Sequence, residues 1–502
     1  MGRKMPIFYN ALMLTGVNLL LRFVGTSFQV FISGRIGAAG VGLLQLVLSV
    51  GGMTLTAGMA GARTACMYLT AEDLGKKRPK NVTWVLSGCI LYSIFCSGTV
   101  GAIVYGFAPQ IAAGWIGDGR TIGAIRLFAA FLPVSCLTGV MVGYFTAANR
   151  IATLAAVEVA EQLCSMAVTV CALVFWAGQD IGKACQSVVL GGCLGGLLTL
   201  SCLVILRLRE QAGMGTRIPV ARRLTEIALP LAVADDLKVG INTVENLMVP
   251  KRLALYTSDA LAQFGRVSGM VFPVIMFPAA ILFALADLLI PEMARCSAAG
   301  SGARVRYLAR RSLRIAMVYG VVCGGGLFLV AEPLCQRLYG SGETGTLMAP
   351  YALLVPMLYC DAIIDAMNKG LGRQKICVKF NIFTALLDVA GLYVLLPHWG
   401  MKGYFISFFI SHAVNAALSL YLLLKTAEIR VRLRIPFCTA MAMAVALFAA
   451  EKLPSGVLSG VIYSVLLLLG LFAMGVVRRE DGIWLKRLIK NEKNTKKIKN
   501  NV

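Results

Sequence analysis

Fourteen stretches of about 20 mostly apolar residues run through this 502-residue chain, and their length constrains the fold more than any other feature. A helix of about 20 residues crosses the roughly 30 Å hydrocarbon layer of a bilayer. With 58% hydrophobic and 14% charged residues, a soluble protein of this size could not bury its apolar surface. The sequence therefore predicts an all-α polytopic membrane protein. The stretches begin near residues 7, 39, 84, 121, 153, 184, 224, 260, 310, 347, 375, 401, 434 and 456.

A weak internal similarity divides the chain into two halves. "GYFTAANRI" (143–151) and "DAMNKGLGRQKI" (365–376) both end a stretch with an Asn/Gly-rich turn that contains one Arg. Transporters are commonly built from such repeats, with the binding site between the halves. We predict a six-helix bundle over 6–210, a second six-helix bundle over 220–430, two additional helices over 434–478 and a basic cytoplasmic tail over 479–502.

The Lys and Arg residues are concentrated in alternate loops. If the N-terminus is cytoplasmic, the cytoplasmic segments hold 33 of the 48 Lys and Arg residues and the outer loops hold 8. Because positively charged loops stay on the cytoplasmic side, we predict that both termini are cytoplasmic. The net charge of +24 is assigned to contact with anionic lipid head groups, and no nucleic acid partner is expected.

The seventh stretch, "LPLAVADDLKVGINTVENLMVP" (229–250), carries charges where a membrane span should be apolar. Asp235, Lys238, Asn242 and Glu245 are spaced by three, four and three residues, so they form one polar stripe on a helix. A charge at the bilayer centre costs roughly 2.5–3.5 kcal/mol, so the stripe is expected to face protein or water. The alternative is that these residues form structural ion pairs, such as Asp235 with Lys238.

Other spans repeat this pattern and together predict a hydrated central cavity. Span one carries Asn18, Arg22 and Gln29 on one face, and span ten carries Asp361, Asp365 and Lys369 at intervals of four. For single residues, structural pairing such as Asp365 with Lys369 remains an equal alternative. The residues assigned to the polar cavity and to possible ion coupling are Asn18, Asp235, Asn242, Glu245, Asp361, Asp365 and Lys369.

The cations of the spans suggest an anionic ligand. No acid lies within four residues of Arg22, and an arginine keeps its charge in proteins. At about 1.5 Å per residue, Arg22 and Lys238 both reach the middle of the membrane. We predict that Arg22, Lys238, Arg63 and Arg266 form a clamp for a phosphate or pyrophosphate. The acid-rich second half would then bind a coupling proton or sodium ion.

Signatures of enzymes and cofactors are absent from the sequence. It contains no GxxxxGK[ST], no HExxH and no GxSxG motif. The fifteen Cys include no CxxC pair and lie mostly inside the apolar stretches. We therefore expect a protein that is not an enzyme and has no catalytic residues, cofactor or metal site, but whose activity is coupled to H⁺, Na⁺ or the membrane potential.

Several short motifs resemble a known family. They are "GAAGVGLLQLVLSV" (37–50), "GYF" (143–145), "EQL" (161–163), "VPKRLA" (249–254), "GLGRQ" (370–374) and "GMKGYFIS" (400–407). In order and spacing they resemble polysaccharide exporters of the stage V sporulation protein B type. These belong to the multidrug/oligosaccharidyl-lipid/polysaccharide (MOP) superfamily, which also contains the lipid II flippases and the multidrug antiporters.

This resemblance implies a MATE/MOP-like fold with two pseudo-symmetric six-helix bundles and two C-terminal helices. It implies that the chain moves an undecaprenyl-pyrophosphate-linked saccharide, a polysaccharide or peptidoglycan precursor, from the inner to the outer leaflet of a bacterial plasma membrane by alternating access. The family's first-span Arg lies in the central cavity, and Arg22 has a similar place here. Residues 434–478 would form a groove for the lipid tail.

Three functions are weighed. The leading hypothesis is a flippase whose partners are a lipid-linked saccharide, bacterial membrane lipids and cell-wall synthesis enzymes, acting in cell-wall synthesis or sporulation. The second is a cation-coupled multidrug antiporter of the same fold, which Arg22 and Lys238 disfavour because they would repel a cationic drug. The third is a non-transporting scaffold for envelope or spore assembly, in which the polar stripes only join helices.

Overall fold

The computed structural model describes residues 7–76, 78, 81–178, 180–209, 220–428, 434–451 and 457–476. Within these ranges every regular element is helical, as predicted. The predicted basic tail over 479–502 lies outside the described residues.

Sixteen α-helices follow one another along the described ranges. They are α1 Ile7–Met59, α2 Ala62–Gly75, α3 Asn81–Gly106, α4 Ala108–Gln110, α5 Ile122–Ala147, α6 Ile151–Ala172, α7 Ile181–Leu208, α8 Val220–Leu253, α9 Ala260–Gly265, α10 Phe272–Met276, α11 Ala279–Ala298, α12 Gly302–Tyr339, α13 Gly342–Gly370, α14 Gln374–Ala427, α15 Arg434–Glu451 and α16 Val457–Ala473. Wider π-helical turns occupy Ile111–Ile116, Leu173–Ala177 and Arg266–Val271, and a 3-10 turn occupies Gly119–Thr121.

Helices cover all fourteen predicted stretches. Eight described helices are long and apolar enough to cross a membrane, and a ninth crossing results if the bent pair Ala260–Met276 and Ala279–Ala298 counts as one span. The charged α8 is not among them, and the apolar parts of α15 and α16 are shorter. The chain is thus a multi-pass membrane protein, while the total of fourteen crossings stays a prediction.

Two of the long helices each contain two predicted spans. In α1 the backbone leaves helical geometry only at Gly37, with φ 69° and ψ 176°. In α14 it does so only at Gly400, with φ 55° and ψ −135°. A Cβ makes such positive φ values costly, so glycine is the residue that suits both positions. A single non-helical residue therefore stands where we expected a loop between spans one and two and between spans eleven and twelve.

Packing divides the described chain into two compact units. Unit 1 comprises the described residues up to Ala284 together with Val378–His412, and unit 2 comprises Leu285–Cys377 together with the described residues from Ala413 onward. The predicted boundaries of the two six-helix bundles stay a prediction.

Each unit has its own apolar interior. In unit 1, α2, α3 and α5 share a core that includes Leu69, Cys89 and Phe145, each at most 1% exposed. In unit 2, α12 packs along α13 and is covered by α15 and α16. The fully buried Tyr463 of α16 donates its hydroxyl to the carbonyl oxygen of Val321 in α12 at 2.8 Å. This bond satisfies a polar group that burial would otherwise leave costly.

Candidate functional site

A wide-open cavity of about 470 Å³ lies within unit 1. One wall is α1, and the other is the π-helical turn Arg266–Val271 with the following α10. The lining residues are Arg22, Gly25, Thr26, Gln29, Gln45, Ser268, Phe272, Pro273 and Met276. Its volume falls in the range typical of sites that bind small molecules.

The α1 wall follows from helical periodicity. Arg22, Gly25, Thr26 and Gln29 recur at intervals of three and four residues, so they share one face of the helix. Gln45 joins them from the part of α1 that follows Gly37. The predicted polar face of span one is thus present, although the side chain of Asn18 is not among those described.

The opposite wall is shaped by an irregular backbone. Pro273 has no N–H, so it cannot donate to the carbonyl of Gly269 four residues earlier, as a regular helix would require. The side-chain nitrogen Nε2 of Gln29 donates to this Gly269 oxygen at 3.2 Å. A cavity-lining amide thereby holds the two walls together.

Arg22 brings the positive charge of this cavity. Its guanidinium carbon lies 4.8 Å from the centre of the Phe283 ring, which is a cation–π contact. Arg22 is therefore positioned by an aromatic partner rather than isolated, as its surroundings in the sequence suggested. Among the described residues that line the cavity, none is acidic.

The other three predicted clamp residues do not line this cavity. Arg266 forms an ion pair with Asp259, in which Nη1 and Oδ2 are 3.2 Å apart. Lys238 is exposed on α8, and Arg63 lies on α2, within electrostatic range of Glu158. The structure brings only Arg22 to the cavity, and the four-residue clamp stays a prediction.

The predicted polar stripe of span seven lies on a single helix, α8. This helix contacts α1 through two other residues: Thr243 Oγ1 lies 3.2 Å from the carbonyl oxygen of Ser49, and Asn246 Nδ2 donates to Ser49 Oγ at 3.0 Å. The first three stripe residues remain exposed, namely Asp235, Lys238 and Asn242.

Glu245, the fourth stripe residue, belongs to a second polar cluster inside unit 1. It lies within electrostatic range of Asp388 and Tyr404 of α14. Asp388 is 5% exposed, and its Oδ1 accepts a hydrogen bond from Ser407 Oγ at 2.6 Å. The half-buried carboxylate of Glu245 and the buried carboxylate of Asp388 therefore lie within electrostatic range of each other. Sequence spacing along one helix did not reveal this cluster, because its members come from segments far apart in the chain.

The polar residues of span ten, on α13, are paired with one another or with residues of α14 inside unit 2. We call this set the polar seam: Asp361, Asp365, Asn368, Lys369, Asn415 and Ser419. Asn415 Nδ2 donates to Asp361 Oδ2 at 2.9 Å. Asn368 Nδ2 donates to the carbonyl oxygen of Ser419 at 2.9 Å, and Lys369 Nζ lies 2.6 Å from Asp365 Oδ2. The Asp365–Lys369 ion pair is the structural alternative that the sequence left open.

Comparison with known proteins assigns the family. The sequence profile described as "Lipid II flippase MurJ" matches residues 77–474, most of the chain. The chain belongs to the MurJ family of lipid II flippases. Stage V sporulation protein B of Bacillus subtilis (strain 168) is 23% identical over 425 residues, 80% of each chain. A probable lipid II flippase MurJ of Rhizobium meliloti (strain 1021) is 24% identical over 330 residues, 61% of this chain and 59% of that protein.

Solved structures show the fold. A lipid II flippase MurJ in an inward closed conformation superposes with a TM-score of 0.70 at 12% identity, covering 95% of this chain and 100% of that one. An inward-facing MATE multidrug transporter of the MOP superfamily gives 0.66 at 13% identity, covering 82% and 98%. The predicted MATE/MOP-like fold and the resemblance to this superfamily are confirmed.

Membership of the MurJ family also confirms the predicted class of function. The family consists of flippases for a lipid-linked precursor in the membrane, so the chain is a transporter and not an enzyme. The profile match begins at residue 77, after α1 and α2. The role of Arg22 therefore rests on the geometry of the cavity.

Proposed function

We propose that this chain moves an undecaprenyl-pyrophosphate-linked saccharide, such as a peptidoglycan precursor, from the inner to the outer leaflet of a bacterial plasma membrane by alternating access. The observation that carries this proposal is the unit 1 cavity, which Arg22 lines and whose described lining residues include no acid. Both termini are placed in the cytoplasm on the basis of the Lys and Arg distribution.

The chemistry of the cavity suits a pyrophosphate. A guanidinium stays charged at any physiological pH and donates several hydrogen bonds in a fixed plane, which matches phosphate oxygens. Phe283 limits the rotation of Arg22, so less side-chain entropy is lost when the ligand binds. A cationic drug would meet a positive charge and no carboxylate here, which disfavours the antiporter.

The names of the relatives support a lipid-linked substrate. One relative is named as a probable lipid II flippase and another as a sporulation protein. We infer that cell-wall synthesis enzymes supply the substrate at the inner leaflet and use it at the outer leaflet. The scaffold hypothesis is less favoured, because a structural role does not require an arginine beside a cavity of this size.

We further propose that a proton or a sodium ion couples to transport through Glu245 and Asp388. Two carboxylates within electrostatic range repel each other, so binding of a cation to one of them is favoured. The membrane potential would then contribute, because the cation crosses part of the membrane field. Glu245→Gln is expected to remove the dependence of transport on the coupling gradient.

Leaflet reversal in proteoliposomes tests the main proposal. A labelled undecaprenyl-pyrophosphate saccharide is followed with wild-type protein and with Arg22→Ala, under a proton gradient and under a sodium gradient. Arg126→Ala is a matched control, because Arg126 also makes a cation–π contact, with Tyr105 at 5.4 Å, but does not line the cavity.

We expect transport by the wild type and by Arg126→Ala, and none by Arg22→Ala at an unchanged melting temperature. Wild-type transport with a fully active Arg22→Ala would exclude the arginine as the phosphate site. Absence of wild-type transport under both gradients would overturn the flippase function itself.

A further inference from the structure

One part of the unit 1 cavity carries neutral hydrogen-bonding groups, which we call the amide layer: Gln29, Gln45, Ser268 and the backbone of Gly269. Gln29 and Gln45 each lie eight residues from Gly37, one before it and one after it. Both reach the same residue of the opposite wall. Gln29 Nε2 donates to the Gly269 oxygen at 3.2 Å, and a Cβ on Gly269 would lie 3.5 Å from Gln45 Nε2.

Gly269 keeps these groups together. A side chain at this position would overlap Val41 of α1 and push the π-helical turn away from both glutamines. The absence of a Cβ thus lets the backbone of one wall approach the amides of the other. Gln29, Gln45 and the Gly269 backbone therefore lie at the same height along the cavity.

The amide layer is separated from the positive charge. Gln29 follows Arg22 by seven residues, which is about 10 Å along a helix. Both side chains lie on the same cavity-lining face. A molecule that fills the cavity therefore meets a cation at one level and neutral donors and acceptors about two helical turns further on.

The amide layer has hydrogen-bonding capacity that internal contacts do not use up. Gln29 spends one donor on Gly269, and its carbonyl oxygen can still accept. Ser268 Oγ donates to the Phe264 carbonyl at 2.9 Å, and its lone pairs can still accept. Within the described residues, no hydrogen bond engages the side-chain amide of Gln45, which can both donate and accept.

These groups match a sugar rather than a second phosphate or an ammonium group. Hydroxyl and acetamido groups donate and accept at once, as the amide layer does, whereas a phosphate would require further cations and an ammonium would require carboxylates. Phe272 and Met276 add apolar surface at the same wall, against which a ring can pack. A sugar diphosphate ester carries its charge and its neutral polar groups in this same order.

We propose that the amide layer binds the sugar ring attached to the pyrophosphate and makes the protein prefer sugar-bearing over sugar-free lipid pyrophosphate. The inference rests on the proposed function, since it assumes that the pyrophosphate lies at Arg22. Gln45 is the specificity-determining residue, because its amide is committed to no described partner. Arg22 sets the affinity for both lipids, whereas Gln45 distinguishes between them.

The test measures equilibrium binding to the full chain in lipid nanodiscs. The two probes are undecaprenyl pyrophosphate and undecaprenyl pyrophosphate carrying one N-acetylglucosamine. Gln45→Met removes the amide and keeps an unbranched side chain of similar length. Gln263→Met on α9 is the matched control, because Gln263 does not line the cavity.

We expect the wild type and Gln263→Met to bind the sugar-bearing lipid about tenfold more tightly, the effect of one or two buried hydrogen bonds. Gln45→Met should lose this preference while its affinity for the sugar-free lipid stays the same. Equal weakening of both lipids, or an unchanged preference, would refute the inference and leave the flippase proposal intact. If the wild type bound neither lipid, the result would contradict the proposed function itself, and with it this inference.

If Gln45→Met does not fold, Gln45→Asn provides the same test. Its shorter side chain keeps an amide but withdraws it from the cavity by one carbon. A preference for the sugar-bearing lipid that is weaker than that of the wild type but still measurable supports direct contact between Gln45 and the sugar. A preference equal to that of the wild type contradicts it.

Discussion

The unit 1 cavity and the polar seam of unit 2 both place charged residues in helices of a membrane protein, but they use them differently. In the seam, Asp361 accepts a hydrogen bond from Asn415 and Lys369 pairs with Asp365. In the cavity, Arg22 rests on an aromatic ring beside 470 Å³ of space. In the seam the charged groups bond to other polar groups of the protein, whereas in the cavity the charged group lines a space that a ligand can enter.

This difference shows which observation distinguishes polar residues that join helices from polar residues that bind a ligand. The spacing of residues along one helix cannot distinguish them, because both regions have polar residues at helical intervals. The partner of the polar group distinguishes them, and the partner of Asp361 comes from a segment far away in the chain. Asn415 lies 54 residues from Asp361, whereas the cavity-lining residues that surround Arg22 include no acid.

The largest expected effect is on ligand binding at Arg22. Arg22→Gln removes charge-assisted hydrogen bonds to phosphate, each stronger than a neutral one, and should weaken binding of undecaprenyl pyrophosphate by roughly 100-fold. The lost cation–π contact with Phe283 accounts for only about 1 kcal/mol of any accompanying loss of stability. Binding in nanodiscs and thermal melting in detergent measure the two quantities. A large loss of stability without loss of binding would show that Arg22 has a structural role, as the residues of the polar seam do.

The next effect is on stability at Asp361. Asp361→Leu leaves the half-buried Asn415 amide without its partner and should cost about 0.5–1.5 kcal/mol of unfolding free energy. Asp361→Asn is the matched control, since its side-chain oxygen can still accept the bond. Thermal melting distinguishes the two variants. If Asp361→Asn melted normally but abolished transport, the carboxylate charge would be part of ion coupling and the seam would no longer be purely structural.

A smaller effect is expected at Lys369. Its side chain is 38% exposed and that of Asp365 is 27% exposed, so solvent screens the pair. Lys369→Met should therefore change the unfolding free energy by less than about 0.5 kcal/mol, the usual range for helical pairs four residues apart. The double variant with Asp365→Leu measures the coupling directly. A coupling well above this value would show that the pair is shielded from water.

The smallest effect is expected at a charge cluster formed by the C-terminal part of α2 and the first turn of α8. Glu72 pairs with Lys76 and with Arg223, the latter at 2.6 Å, and these bonds lower the pKa of Glu72. A lowered pKa means that the stabilisation is complete above the ordinary value of 4.5 and is lost as pH falls below it.

The melting temperatures of wild type and Glu72→Gln should therefore differ by a constant small amount from pH 8 to pH 5 and converge at lower pH. Glu226→Gln, at an exposed position of α8, serves as the control. A difference that widened as the pH fell would have the wrong sign for a paired carboxylate.

Much of the fold could be predicted from the sequence, because hydrophobic length is a local property. Helices cover every predicted stretch, and Arg22 was recognisable because an arginine far from any acid is unusual in an apolar helix. Gln29 was placed on the correct face by spacing alone.

The rest of the site depends on irregular backbone and on distant segments. The roles of Gln45 and Ser268 require the break at Gly37 and the π-helical turn before Pro273, and no periodic pattern announces either. The cluster of Glu245 with Asp388 joins residues 143 positions apart. Such contacts come from tertiary packing, which one sequence does not encode in its spacing.

The one non-helical residue within α1, Gly37, also sets a rule for insertions and deletions. Each residue added to or removed from a helix turns everything beyond it by about 100° and shifts it by about 1.5 Å. One change between Arg22 and Gly37, or between Gly37 and Gln45, would rotate part of the cavity wall away from its partner. Only Gly37 itself, where the helical geometry is already broken, offers a place where this segment can vary in length.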